Sequence, residues 1–262
     1  MKAHNNVLSL VLAFISMAIP TRAQEIAVAA AADLKFAMDD VGSQYEKQTG
    51  KKVNVTYGSS GNFFSQLQNG APFDLFFSAD IDYARRLETA GLAEPGTLYP
   101  YAIGRIVIWA PADSKVDVTK LGWKALLSGS VQKIAIANPE HAPYGRAAVA
   151  AMQKAGIYDQ VKAKLVYGDN ISQAAQFVQS GNAQVGIVAL SLAVSSAMQG
   201  GRRWEIPADM HPPIEQAAIV LKNSRNKDAA RSFLDFVKTE SARATLAKYG
   251  FSFPLEKSNA RK

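Results

Sequence analysis

The sequence predicts an α/β protein of two doubly wound lobes joined by a two-crossing hinge. Three observations lead there. Short apolar strands alternate with amphipathic helices from about residue 25 onward, the order expected of parallel sheets covered by helices on both faces. Glycine follows the helical segments at Gly50, Gly70, Gly91, Gly156 and Gly181, where a left-handed residue commonly ends a helix. Two stretches read as crossings: Tyr99–Ile103, after the turn Glu94-Pro95-Gly96, and His211-Pro212-Pro213, which prolines stiffen. Two crossings make the first lobe discontinuous, residues 24–102 plus 214–262, and leave 103–213 as the second.

In chain order, Lys2, the apolar run Val7–Ile19 and the small residues before Gln24 have the form of a secretory signal, with cleavage expected after Ala23 and a periplasmic destination. Glu25–Ala30 reads as a strand, and Leu34, Met38, Val41 and Tyr45 mark the helix after it. Strand Lys52–Tyr57 turns through Gly58-Ser59-Ser60-Gly61 into a helix from Asn62, and strand Asp74–Phe77 leads to helix Ile81–Ala90. Ile103–Ala110 is one long β-branched run. Strand Lys133–Ala137 feeds helix Arg146–Ala155, strand Leu165–Tyr167 feeds helix Ile171–Ser180, and Val185–Ala189 feeds helix Leu192–Met198. Strand Glu215–Lys222 and two helices, Lys227–Lys238 and Glu240–Tyr249, close the chain.

Composition narrows the function. The chain has 262 residues, a formal charge of +7 and no cysteine. The expected leader carries Lys2 and Arg22 and no acid, so the charge falls from +7 to +5 on its removal. A mild positive excess without a basic run suits small anions better than nucleic acid. Without cysteine there is no disulfide and no thiol chemistry, so burial must hold the fold.

Ligands of open α/β sheets sit beyond the C-terminal ends of strands, where helices begin. A glycine- and serine-rich turn entering a helix, such as Gly58–Gly61, offers unpaired amides and the positive end of the helix dipole to an anion. The same turn also serves as an ordinary connector, and Ser60 as a helix cap.

The segments GSSGN, QLQNGAPFDLFFSAD, ANPEHAPYG, GDNISQAA, GNAQVGIVAL and the closing KYGF occur in one order through the mature chain. In them the chain resembles the periplasmic molybdate-binding proteins of ABC transporters. The resemblance implies a type II periplasmic binding protein architecture that closes on a tetrahedral oxyanion, molybdate or tungstate. It implies delivery of the anion to a membrane permease and its ATPase by a monomer without a cofactor or catalytic activity.

Carried over by position, the resemblance points to five residues. Asp33 stands where the family usually has serine at the first helix start, and Ser60 matches a serine that contacts the anion through hydroxyl and amide. Tyr144 and Ile171 match residues contacting through their backbone N–H, and Ala189 falls where some members place a tyrosine hydroxyl. Ser191 and the Tyr144 side chain are the nearby hydroxyls that would compensate for Ala189.

Asp33 departs from that pattern in charge. Two unit charges about 4 Å apart repel by about 4 kcal/mol at an effective dielectric near 20, and a dianion doubles this. The expected arrangement turns its carboxylate back as an N-cap on the amide of Lys35 or Phe36, its own N–H still facing the cleft. A protonated Asp33 donating to the anion, and direct coordination to the anion's metal centre, are the alternatives.

Rival functions find less support. The motifs G-x-S-x-G, G-x-x-x-x-G-K-[ST] and H-E-x-x-H are absent, and only His141 and His211 follow the leader, which leaves a hydrolase little to work with. A divalent-metal binder would rest on Glu140-His141 and on His211 with Glu215, whose spacing fits no strong ligand pattern. A binder of another oxyanion, such as sulfate, is the nearest alternative.

Overall fold

The computed structural model describes residues 25–254; the expected signal and its cleavage site lie outside them. The first half of the chain builds most of one sheet: β1 (Ile26–Ala31), a 3-10 turn (Ala32–Leu34), α1 (Lys35–Thr49), β2 (Val53–Gly58), α2 (Ser60–Gln68), β3 (Leu75–Ser78), α3 (Ile81–Thr89) and β4 (Tyr99–Gly104). The chain then enters a second sheet with β5 (Ile106–Ala110). There follow α4 (Val118–Leu121), α5 (Lys124–Leu127), β6 (Ile134–Ala137), α6 (Pro143–Lys154), α7 (Tyr158–Val161), β7 (Leu165–Gly168), α8 (Ile171–Gln179), β8 (Val185–Ala189), α9 (Leu190–Ala193) and β9 (Arg202–Glu205). It returns through β10 (Ile214–Val220) and ends with α10 (Lys227–Val237) and α11 (Glu240–Lys248).

The sheets run β2-β1-β3-β10-β4 and β7-β6-β8-β5-β9. Within the first, β1 is parallel to β2 and β3, while β10 is antiparallel to β3 and β4. Within the second, β6 is parallel to β7 and β8, while β5 is antiparallel to β8 and β9. All-parallel sheets were the expectation, and the difference has a simple cause. A strand that arrives directly from the other lobe, as β5 and β10 do, needs no helical crossover, and so is free to pair antiparallel. The β-branched run 103–110 is likewise two strands of two sheets. Pairing with β10 carries β4 through Gly104, so the chain leaves the first sheet at Arg105.

Side-chain alternation shows why helices cover both faces of the first sheet. Val28, Ala30, Leu75 and Phe77 pack with Leu34, Val41 and Phe233 of the flanking helices, while Ala29, Phe76, Ala217 and Ile219 face Phe63, Phe64 and Leu87 on the other side. Helix ends follow the glycines: at Gly50, φ is 70° and its amide donates to Glu46 O. The core of the second lobe extends to Ala31, Ala32, Ala79 and Ile214. The lobes therefore touch through apolar surface where β1, β3 and β10 end or begin.

Candidate functional site

Four strand-to-helix junctions meet between the sheets. From the first lobe come the turn after β1, with Asp33, and the β2–α2 junction, with Ser59 and Ser60. From the second come the β6–α6 junction, with Ala142, Pro143 and Tyr144, and the β7–α8 junction, with Asn170 and Ile171. Together they line a small cavity of about 10 Å³, room for one water-sized body. A larger groove of about 440 Å³ shares Ala79 and Pro143 with it and is flanked by Asp80, Arg85, Arg146, Pro212 and Glu215.

Ser60 is the first residue of α2, which begins two residues before the expected Asn62. It is 1% exposed, and its Oγ accepts from Ala79 N at 2.9 Å. That bond uses a lone pair and leaves the hydroxyl proton to donate. Ser60 is therefore no cap; Ser59 holds the cap position and makes no capping bond either. In α6, Pro143 takes the first position, where a missing N–H costs nothing, and Tyr144 the second. In α8 the Asn170 carboxamide accepts from Ser172 N and Gln173 N, both at 3.0 Å, which leaves the Ile171 amide as the first of its helix. The amides of Ser60, Tyr144 and Ile171 thus sit in first turns where no intrahelical carbonyl is available, and three helix dipoles point their positive ends inward.

Asp33 does not cap a helix. Ala31 occupies the cap position of the 3-10 turn, Asp33 lies inside the turn, and the Lys35 amide already donates to Ala32 O. The carboxylate instead faces residues from two other elements: Oδ2 accepts from Tyr144 OH at 2.9 Å and from Gln216 Nε2 at 2.8 Å. Gln216 Nε2 also donates to Tyr144 OH at 3.0 Å, and its Oε1 accepts from Tyr101 OH at 2.5 Å. With Tyr101 OH donating to Oε1, the Nε2 end of Gln216 is the one turned to Asp33 and Tyr144. Oδ1 of Asp33 is buried without a partner among the described residues. Burial pushes the Asp33 pKa up to about 6, against the lowering effect of the Gln216 and Tyr144 hydrogen bonds and of its own backbone N–H. Tyr101 and Tyr144, also fully buried, are raised well above the ordinary tyrosine range, by burial first and by the Asp33 charge second.

The lobes are bridged at further points. Ser172 Oγ donates to Ala32 O at 2.9 Å and Ser191 Oγ to Asp33 O at 2.7 Å. Around the rim, His141 O accepts from Ser59 Oγ at 2.6 Å and from Gly61 N at 3.0 Å. The His141 ring meets the same Ser59 Oγ through Nδ1 at 2.9 Å, and Arg146 pairs with Asp80 at 2.5 Å. Glycine is required twice here. A Cβ on Gly61 would lie 2.5 Å from His141 O, and one on Gly104 2.2 Å from Tyr144 OH.

Of the five residues expected at the site, Asp33, Ser60, Tyr144 and Ile171 line the one cavity. Ala189 does not: it is fully buried at the end of β8, opposite Ile106. Ser191 does not replace a hydroxyl there, since its proton is committed to the Asp33 carbonyl. Tyr144 presents its side chain, as well as an amide, to the site. Gln216 and Tyr101 are the residues that sequence reasoning missed. Gln216 carried a signal, being a lone amide buried in a strand whose one other polar residue, Glu215, is exposed. The pairs considered for a divalent metal are not gathered: His141 is engaged with Ser59, His211 Nδ1 lies 2.8 Å from Pro212 O, and no cluster of three or more His, Cys, Asp or Glu occurs among the described residues.

Comparison with known proteins agrees with this architecture. A family profile described as bacterial extracellular solute-binding protein matches residues 26–252. The chain is 39% identical over 235 residues to the molybdate-binding protein ModA of Rhodobacter capsulatus, covering 90% of this chain and 91% of that protein. With ModA of Azotobacter vinelandii it shares 39% over 236 residues, covering 90% and 92%. The solved periplasmic molybdate-binding protein of Azotobacter vinelandii aligns with a TM-score of 0.82 at 33% identity, covering 88% of this chain and 99% of that one. The sulfate-binding protein SubI of Mycobacterium tuberculosis, at 19% identity and a TM-score of 0.69 over 89% of this chain and 88% of that one, shares the fold. The chain belongs to the bacterial extracellular solute-binding protein family, among relatives of its molybdate-binding members.

Proposed function

We propose that this extracellular solute-binding protein captures molybdate, and tungstate with it, between its lobes and hands the anion to the permease and ATPase of an ABC transporter. It acts in the periplasm as a monomer, with residues 24–102 plus 214–262 moving as one body against 103–213. The observation that carries this reading is the meeting of three helix N-termini, at Ser60, Tyr144 and Ile171, on one buried cavity.

A dehydrated tetrahedral dianion needs several directed donors. Backbone amides at rigid helix starts provide them at fixed positions, and the Ser60 hydroxyl adds one more. Among the described residues neither lysine nor arginine lines the cavity, so the grip comes from partial charges and hydrogen bonds, weak enough for release to a permease. Donors held by the backbone cannot follow an anion of another size, and a donor left unpaired on burial costs about 1–3 kcal/mol. Relatives at 39% identity that carry the name molybdate-binding protein support molybdate over sulfate, since the sulfate-binding neighbour shares little beyond the fold.

Thermal melting of the purified protein with molybdate, tungstate, sulfate, phosphate and zinc tests the reading. A ligand at 100 times its Kd adds about 2.7 kcal/mol of stability, and molybdate and tungstate are expected to raise the Tm together. Ser60→Ala is expected to weaken molybdate binding about tenfold or more, the loss of one hydrogen bond to a charged group. A shift with zinc alone would overturn the proposal.

A further inference from the structure

Asp33 is at odds with an anion site, and the way it is held resolves the conflict. Its Oδ2 is occupied by two donors, Tyr144 OH and Gln216 Nε2. Its Oδ1 has none, although it is buried on a residue that lines the cavity. An ionised Oδ1 would face an oxyanion as acceptor against acceptor. A proton placed there turns the same contact into a hydrogen bond. Resting on the oxyanion reading above, we propose that Asp33 serves the bound anion as a carboxylic acid. A proton from solvent joins Oδ1 as the anion enters, and Oδ1–H donates to an oxyanion oxygen, so the site captures a fully deprotonated tetrahedral dianion together with one proton.

The surroundings give the proton no other place. Oδ2 already receives two hydrogen bonds, from Tyr144 OH and Gln216 Nε2. The titratable groups on the packed elements are few. Tyr101 of β4 and Tyr144 of α6 stay neutral, raised by burial. Lys35 of α1 pairs with Asp39, and Tyr57 of β2 bonds to Asp39. His141, before α6, is turned to Ser59. The flanking starts of α8 and α9 present Ile171, Ser172 and Ser191, none of them charged. No cation acts on the Asp33 carboxyl, whose pKa burial alone lifts to about 6, and an entering dianion pushes it higher still. Proton uptake on binding is therefore expected near neutral pH.

An ionised Asp33 would make a different protein, one that prefers an oxyanion bearing its own hydrogen, such as hydrogenphosphate, whose O–H would donate to Oδ1. Calorimetric titration separates the two. Molybdate and hydrogenphosphate are titrated into the full mature protein between pH 7 and 9, each in two buffers of different ionisation enthalpy. The expected result is uptake of close to one proton per molybdate, with Kd rising up to about tenfold per pH unit, and hydrogenphosphate bound more weakly. Asp33→Asn, whose carboxamide mimics the acid, is expected to bind molybdate with no proton uptake and a flat Kd. Molybdate binding by the unaltered protein without proton uptake, or tighter binding of hydrogenphosphate, would overturn the inference alone. No heat with any oxyanion would overturn the functional reading beneath it. The proton count comes from the unaltered protein, so it stands whether or not the variant folds.

Discussion

Two of the patches through which the lobes meet are opposite in character. The outer patch, where Ser59 and Gly61 meet His141 and Arg146 meets Asp80, is fully paired and partly open to water. The inner patch, where Asp33 meets Tyr144 and Gln216, is buried and leaves one carboxylate oxygen unpartnered among the described residues. The outer contacts are complete as they stand and hold the lobes together. The inner ones carry a deficit that a bound anion, with its proton, would remove. Closure and recognition are thus assigned to different residues, and changes on the two patches should separate them.

Gly61→Ala should have the largest effect. The new Cβ would meet the His141 backbone carbonyl at 2.5 Å, and backbone cannot step aside as a side chain does. At the upper end of overpacking costs, about 3 kcal/mol, molybdate affinity falls about a hundredfold. The melting temperature of the anion-free protein should change little, because alanine favours the first turn of α2. Small-angle scattering would show the lobes held apart; an unchanged closed profile would mean that the rim tolerates more than the geometry allows.

Asp33→Asn probes the inner deficit through stability. Asp33 is raised from 3.8 to about 6, so the folded state prefers it protonated. Its contribution is fully present below about pH 4 and lost as pH rises through 6. The variant escapes that loss. Its stability advantage at pH 8 over that at pH 4 should be about 2–3 kcal/mol, read from urea unfolding at both pH values.

Tyr144→Phe removes one donor from Oδ2 and should cost about 1–2 kcal/mol of stability at pH 8, and less at pH 5, where the neutral carboxyl needs the donor less. At the outer rim, Arg146→Ala breaks a half-exposed ion pair and should cost under about 1 kcal/mol. A loss that shrinks with added salt would mark the effect as electrostatic.

Much of this architecture was legible in the sequence, for physical reasons. Helix ends could be placed because Gly50, Gly156 and Gly181 adopt positive φ, and strands because Val185–Ala189 and Ile134–Ala137 are short apolar runs buried on both faces. The β7–α8 junction could be placed because Ile171 opens its helix, whereas α2 and α6 begin two and three residues before the expected Asn62 and Arg146. Reading failed where partners lie far apart along the chain. Asp33 meets Tyr144 across 111 residues and Gln216 across 183, and local rules made the same carboxylate a helix cap. Likewise, periodicity cannot mark the point at Arg105 where one apolar run changes sheets.

The return of β10 into the first sheet also sets an order of assembly. That strand lies between β3 and β4, near the middle of the sheet, yet it is made only after the whole of the second lobe. The second sheet is contiguous in sequence and can close by itself. The first must wait, its strands β3 and β4 lacking the neighbour that joins them. Long-range closure of this kind slows folding, and the contacts of Gln216 with Asp33 and Tyr144 depend on it. Completion of the first sheet and completion of the Asp33 cluster therefore depend on the same strand.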